Sequence, residues 1–223
     1  MQRHSQYDLI CIGSGPAGQR AAIQAAKLGK KVAVIEKRRF VGGMCIDTGT
    51  IPSKTFREAV RRVYSRPGLE LNDSFASTAK VRPSMPQLVG HVGRVIQREI
   101  GIVQDALARN DVTLLQGTAS FVDPHTLRID GLDGQRPLTA DHVLIAVGTY
   151  PSKPQGVELD GQTIITSDDI LNITQLPRTM AVVGAGVIGI EYASMFAALG
   201  VHVTVIDQME INREDRRKGG PEG

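Results

Sequence analysis

Short apolar runs punctuated by glycine set the pattern of this chain. Residues 9–36, LICIGSGPAGQRAAIQAAKLGKKVAVIE, align without a gap on residues 180–207, MAVVGAGVIGIEYASMFAALGVHVTVID, at an offset of 171, with 10 of 28 positions identical. Each copy predicts a strand, a Gly-rich turn, a helix and a second strand. Strands that are apolar throughout, without alternation, are those of a parallel sheet covered on both faces.

Between the copies the pattern changes. Residues 42–54 read GGMCIDTGTIPSK, with Ser53 as a helix N-cap, and Lys54 to Ser65 alternates apolar and basic residues as a surface helix does. Residues 66–84 are rich in Pro, Ser and Asp and read as a loop. Leu88, Val92, Val95, Ile96, Ile100, Val103 and Leu107 then recur at helical spacing. They predict one long amphipathic helix over 85–109, its stripe facing the core, with Gly90, Gly93 and Gly101 tolerated at some cost. Short strands follow over 112–148, namely VTLL, TASFV, HTLRID and HVLIAVG, with a turn from Gly131 to Gly134. The last reads as a buried strand leading into a close backbone approach. Pro151 and Pro154 begin a connector, and Ser167 to Ile173 is a short helix. Residues 212–223, NREDRRKGGPEG, carry seven charged residues, four Gly or Pro and no apolar residue, which predicts a disordered tail.

These elements describe an α/β chain. Residues 1–150 form a Rossmann-like dinucleotide-binding domain with an antiparallel β-meander. Residues 151–211 form the first part of a second Rossmann-like domain, which needs further strands beyond its opening piece. Composition excludes several classes. With 223 residues and 41% apolar content, one large or two small domains can bury a core. The charge balance, 26 − 23 = +3, is too weak to imply nucleic acid as a partner. No apolar run approaches a membrane span. Without a signal segment before Tyr7, the expected location is the cytoplasm. Two cysteines, Cys11 and Cys45, make neither a disulfide framework nor a zinc site, and the five histidines show no ligand spacing, so no metal is expected. Cys11, inside the first strand, reads as a buried small apolar residue.

The repeat carries the chemistry. Gly13 and Gly15, like Gly184 and Gly186, permit a tight turn and close approach to a pyrophosphate, while Gly18 and Gly189 let helix pack on strand. The helix N-terminus offers free N–H groups and a positive dipole end, and Pro16 wastes no donor there. Glu36 and Asp207 end the second strands, each 23 residues after the first glycine of its copy. There a carboxylate accepts hydrogen bonds from an adenosine ribose. Asp207 suits the ribose of NAD and repels the 2′-phosphate of NADP.

Over about residues 7–210 these motifs resemble the flavoprotein disulfide reductase superfamily. The resemblance implies that the first turn, with Ser14, Ala17, Glu36 and Lys37, holds FAD. It implies that Gly42, Gly43 and Cys45 wrap the flavin nucleotide, and that Gly117, Ala119 and the Ala146–Val147–Gly148 segment, usually Ala-Thr-Gly, line it. The second turn, with Val187 and Ile188, would hold a nicotinamide dinucleotide. Disulfide-reducing members usually read GGTCLNVGCIPSK; this chain keeps Cys45 but has Thr50 at the second cysteine, so the redox disulfide cannot form within the motif. The pattern with threonine is similar to the soluble transhydrogenase branch, which passes hydride between NADPH and NAD through the flavin. The same resemblance places Lys54 beside the flavin, paired with Glu191, and puts Thr50 near the ring as a packing or hydrogen-bonding residue. Other readings are a diaphorase, an NADH oxidase, a dihydrolipoamide dehydrogenase-like flavoprotein, or a truncated, silent FAD-binding module. The resemblance implies homodimers formed largely through a C-terminal domain, which this sequence is expected to lack.

Overall fold

The computed structural model describes residues 5–64, 84–132, 134–151 and 156–207. Nearly all of the expected loop over 66–84, and the whole expected tail over 212–223, lie outside the described residues. The chain divides into two compact units, residues 1–59 with 86–173, and residues 60–85 with 174–223.

The first unit is built on β1 (Tyr7–Ile12), with β2 (Val32–Glu36) on one side and the second half of β6 (Gly134–Ile145) on the other, both parallel to it. Helix α1 (Pro16–Lys27) crosses from β1 to β2, and β3 (Thr113–Gln116) extends the parallel sheet beyond β2. The first half of β6 runs antiparallel to β5 (Thr126–Gly131), which pairs in turn with β4 (Thr118–Asp123). The strand order is β3-β2-β1-β6-β5-β4. One strand thus serves two pairings: Thr139 still faces Thr126 of β5, and Ala140 already faces Tyr7 of β1.

Period-two alternation on β1 and β2 separates the two cores. Cys11, Val32 and Val34 pack with Ala22 of α1 and with Ile100, Val103 and Leu107 of the long helix α4 (Met85–Ala108). Ile10, Ala33 and Ile35 pack with Leu127, Ile129, Leu138 and Ala140 of the meander. The parallel strands are therefore covered by helices on one face and by β4–β6 on the other. Each fully buried Val, Leu or Ile here contributes on the order of 1.5–3 kcal/mol. Glycines 90, 93 and 101 lie in α4, and a Cβ at any of them would meet nothing within 4 Å.

Three local features differ from the sequence pattern. Strand β6 starts at Gly134, eight residues before the apolar run at His142, because only Leu138 and Ala140 of its first half are buried and the rest of that stretch is polar. At its far end, Ile145 and Val147 are 63% and 60% exposed. The apolar run continues past the end of the covered sheet. Helix α3 (Thr50–Tyr64) begins at Thr50, and Ser53 lies inside its first turn, its hydroxyl donating to the Thr50 carbonyl at 3.3 Å rather than capping the helix. Pro52 also falls in this turn, where no intrahelical donor is required. A single further turn, α2 (Gly43–Asp47), is too short for any periodicity to show it.

The second unit contains β7 (Thr179–Val183), α5 (Val187–Ala198) and β8 (His202–Ile206), with β7 and β8 parallel. Helix α5 buries Tyr192, Ala193, Met195 and Phe196. No helix among the described residues is long and apolar enough to cross a membrane.

Candidate functional site

The first cleft forms where β1 turns into α1. Gly13 donates its N–H to the Ile35 carbonyl at 2.8 Å and adopts a φ of +104°. A Cβ there would strike the Ala146 carbonyl, and a Cβ on Gly18 would strike the carbonyl of Gly13. The turn is thus pressed between the end of β6 and the start of α1. Gly15 is the N-cap of α1 with no side-chain cap, Pro16 opens the helix, and a Cβ on Gly15 would find open space. Ala17 is exposed beside it. An uncapped helix start of this kind supplies N–H groups and a positive dipole end to a phosphate.

Glu36 closes the cleft from the end of β2. The residue is 4% exposed. Oε2 accepts from the Ser14 N–H at 3.0 Å and from the Ser14 hydroxyl at 2.5 Å, and Oε1 accepts from the Arg38 N–H at 2.8 Å. The same Ser14 hydroxyl oxygen accepts from the Gly42 N–H at 3.0 Å. Gly42 and Gly43 have positive φ, and a Cβ on Gly43 would lie 2.8 Å from the Gly15 Cα, so this loop folds tightly against the turn. Gln116 donates to the Glu36 carbonyl at 3.1 Å and to the Arg38 carbonyl, while the Gly117 N–H donates to the Glu36 carbonyl at 2.9 Å.

The fold therefore brings Gly13, Ser14, Gly15, Gly18, Glu36, Gly42, Gly43, Gly117 and Ala146 to one place. Ala119 is packed against the meander core instead. Gly148 has a φ of +73° in the exposed segment after β6. Two residues on, the Tyr150 ring lies 4.8 Å below the Lys37 ammonium and 5.8 Å from the Arg38 guanidinium. The hydrogen bond from Lys37, reinforced by its charge and by Arg38, pulls the Tyr150 hydroxyl below its usual range. Cys45 is half-buried on α2, Thr50 is exposed at the first position of α3, and Lys54 is exposed one turn further on.

A neighbouring cleft of about 460 Å³ in the same unit is lined by Arg38, Asp47, Thr48, Val92, Ile96 and Asp168. Arg38 pairs with Asp47 across it. Burial pushes the Asp168 carboxyl up, against the opposing pull of the Thr48 hydroxyl and Arg38. The functional reading of the sequence did not include Arg38, Gln116 or Tyr150. Only their places, two residues after the acid, opposite it on β3 and two residues after Gly148, could have marked them.

The second copy reproduces the first almost dimension for dimension. Gly184 has a φ of +104° and donates to the Ile206 carbonyl at 2.7 Å. A Cβ on Gly189 would strike the Gly184 carbonyl. Gly186 caps α5 with φ −67° and ψ 176°, against −62° and 177° for Gly15. Asp207 accepts from the Ala185 N–H at 3.0 Å, as Glu36 does from Ser14. Val187 and Ile188 are exposed at 86% and 58%. Glu191 lies one turn along α5, in this unit, whereas Lys54 belongs to the first. In both copies the residues suit a dinucleotide: glycines open the turn, an uncapped helix start follows it, and an acid at the end of the second strand accepts from the N–H after the first glycine.

A family model described as pyridine nucleotide-disulphide oxidoreductase matches residues 7–216. The soluble pyridine nucleotide transhydrogenase of Mycobacterium tuberculosis is 46% identical over 209 residues, covering 92% of this chain and 44% of the relative. The protein of the same name from Hahella chejuensis is 42% identical over 207 residues, again covering 92% and 44%. Among solved structures, the Cu(II) complex of the HOCl-induced flavoprotein disulfide reductase RclA from Escherichia coli is similar with a TM-score of 0.77 at 27% identity, covering 95% of this chain and 45% of that one. The chain thus spans a little under half the length of the curated relatives it matches.

Proposed function

The chain belongs to the pyridine nucleotide-disulphide oxidoreductase family, and from that premise we propose that it holds FAD in its first cleft and a nicotinamide dinucleotide in its second. The reaction proposed is that of a soluble transhydrogenase, hydride passing between NADPH and NAD. The observation that carries this reading is the duplicated cradle, with Glu36 and Asp207 each bonded to the N–H that follows the first glycine. FAD, when bound, supplies acceptance of hydride from a reduced nicotinamide and its return to an oxidised one.

The residues of this chain have distinct parts in that scheme. The α1 start and the glycine turn bind the pyrophosphate, and Glu36 receives the adenosine ribose. Thr50 stands where disulfide reductases carry their second cysteine. Its hydroxyl cannot take electrons onward to a disulfide substrate, which favours return to a nicotinamide. Lys54, exposed on α3, would contribute a positive charge for a reduced, anionic ring. Asp207 favours NAD over NADP in the second cleft by repelling the 2′-phosphate. Gly148, Gly117 and the Gly42–Gly43 loop complete the walls of the first.

The test uses the purified 223-residue chain. Its visible spectrum is recorded with FAD, and NADPH is then added anaerobically, followed by an oxidised NAD analogue. Flavin absorbance that bleaches with NADPH and returns as the analogue is reduced is the expected result. A chain that takes up no flavin overturns the assignment of the first cleft. Bleaching without transfer overturns transhydrogenation and favours a diaphorase.

A further inference from the structure

The two cradles differ at the residue after the first glycine. In the first, Ser14 is fully buried, and its hydroxyl both donates to Glu36 at 2.5 Å and accepts from Gly42 at 3.0 Å. In the second, the matching position is Ala185, which has no hydroxyl, and Asp207 stands exposed.

We infer that Ser14 is a positioning residue that locks the Glu36 carboxylate toward the ribose in the first cleft. This rests on the reading of the first cleft as the FAD site. A carboxylate has about four acceptor positions. Three are filled by the Ser14 N–H, the Ser14 hydroxyl and the Arg38 N–H, on both oxygens, so the group cannot rotate. One position remains, and it is held in place before any ligand arrives. The Gly42 N–H on the same hydroxyl ties the wrapping loop to this acid, so turn, acid and loop are fixed as one piece. Ordering them in advance removes a cost that a ligand would otherwise bear on binding.

The experiment measures FAD binding by flavin fluorescence. The 223-residue chain is compared with Ser14→Ala, Ser14→Cys, Glu36→Ala and the Ser14→Ala/Glu36→Ala pair, with folding followed by circular dichroism. Losing a hydrogen bond to a charged group is expected to raise the FAD dissociation constant roughly tenfold to a hundredfold in either Ser14 variant. In the Glu36→Ala background, Ser14→Ala is expected to change it less than about threefold, because a residue acting through another has nothing left to position. Wild-type affinity in the Ser14 variants, or equal effects of Ser14→Ala in both backgrounds, overturns the inference alone. Ser14 variants that do not fold also overturn it, since the hydroxyl is then structural. A wild-type chain that binds no FAD overturns the underlying reading and this inference together.

Discussion

At the residue scale, two cysteines of one chain sit in opposite chemical circumstances. Cys11 is fully buried in β1 among Val32, Val34 and Ala22, and burial pushes its thiol up to about 11. Thiolate is the reactive form, so Cys11 is inert at neutral pH, while half-buried Cys45 on α2 stands nearer to solvent. A thiol reagent at pH 8 is expected to count one thiol rapidly in the native chain and two after denaturation. Two rapid thiols in the native chain would contradict the burial of Cys11. The glycines show the same dependence on place. Gly13 and Gly184 share a φ of +104°, but only at Gly13 does a Cβ meet backbone, the carbonyl of Ala146. Both Ala substitutions carry backbone strain of about 1–3 kcal/mol. Gly13→Ala is expected to lower the thermal midpoint more than Gly184→Ala, and it should also abolish flavin uptake. Equal midpoints would mean that β6 yields at Ala146.

At the element scale, the sequence was readable wherever a period ran long enough. The two β-α-β copies and α4 follow the apolar pattern to within a residue or two at their ends. What escaped it has physical causes. α2 is a single turn set by the positive φ of Gly42. The first half of β6 is an exposed, Pro-containing stretch made strand by its pairing with β5 rather than by its own pattern. Ser53 has the composition of a cap, yet the helix begins three residues earlier at Thr50, where Gly49 can bend back to bond the Met44 carbonyl at 2.6 Å. The acids Glu36 and Asp207 were legible from spacing. The hydroxyl of Ser14, which joins acid to loop, was not, because its partners are 22 and 28 residues away. Helix α4 carries a prediction of its own. A Cβ at Gly101 meets nothing, so alanine there removes the conformational freedom that glycine gives the unfolded chain without adding a clash. Gly101→Ala is expected to stabilise the chain by about 0.5–1 kcal/mol in urea unfolding. A loss of stability would mean that the helix face at Gly101 packs against something.

At the scale of the whole molecule, pH acts through Asp168, whose carboxyl is raised. Asp168 opens the short 3-10 turn Ser167–Asn172 and faces Thr48, Arg38, Asp47 and Asp169 across the cleft beside α2. Burial raises its carboxyl, and the neighbouring acids add to that, so the folded state binds its proton more tightly than the unfolded state does. A group of this sign contributes stability that is fully present below the ordinary carboxylate range and is lost as pH rises through the raised value. Burial therefore disfavours the charged form of Asp168 in the folded chain. Asp168→Asn keeps the shape and removes the charge. Its thermal midpoint is expected to exceed that of the unaltered chain by no more than about 2 °C at pH 7, since the residue is only half-buried and solvent still screens the charge. The gain should shrink as pH falls and vanish below the ordinary carboxylate range, where both chains are neutral at this position. A midpoint lower than wild type at pH 7 would show that the charge is held favourably by Arg38 and Thr48, and that their attraction, not burial, dominates at the turn.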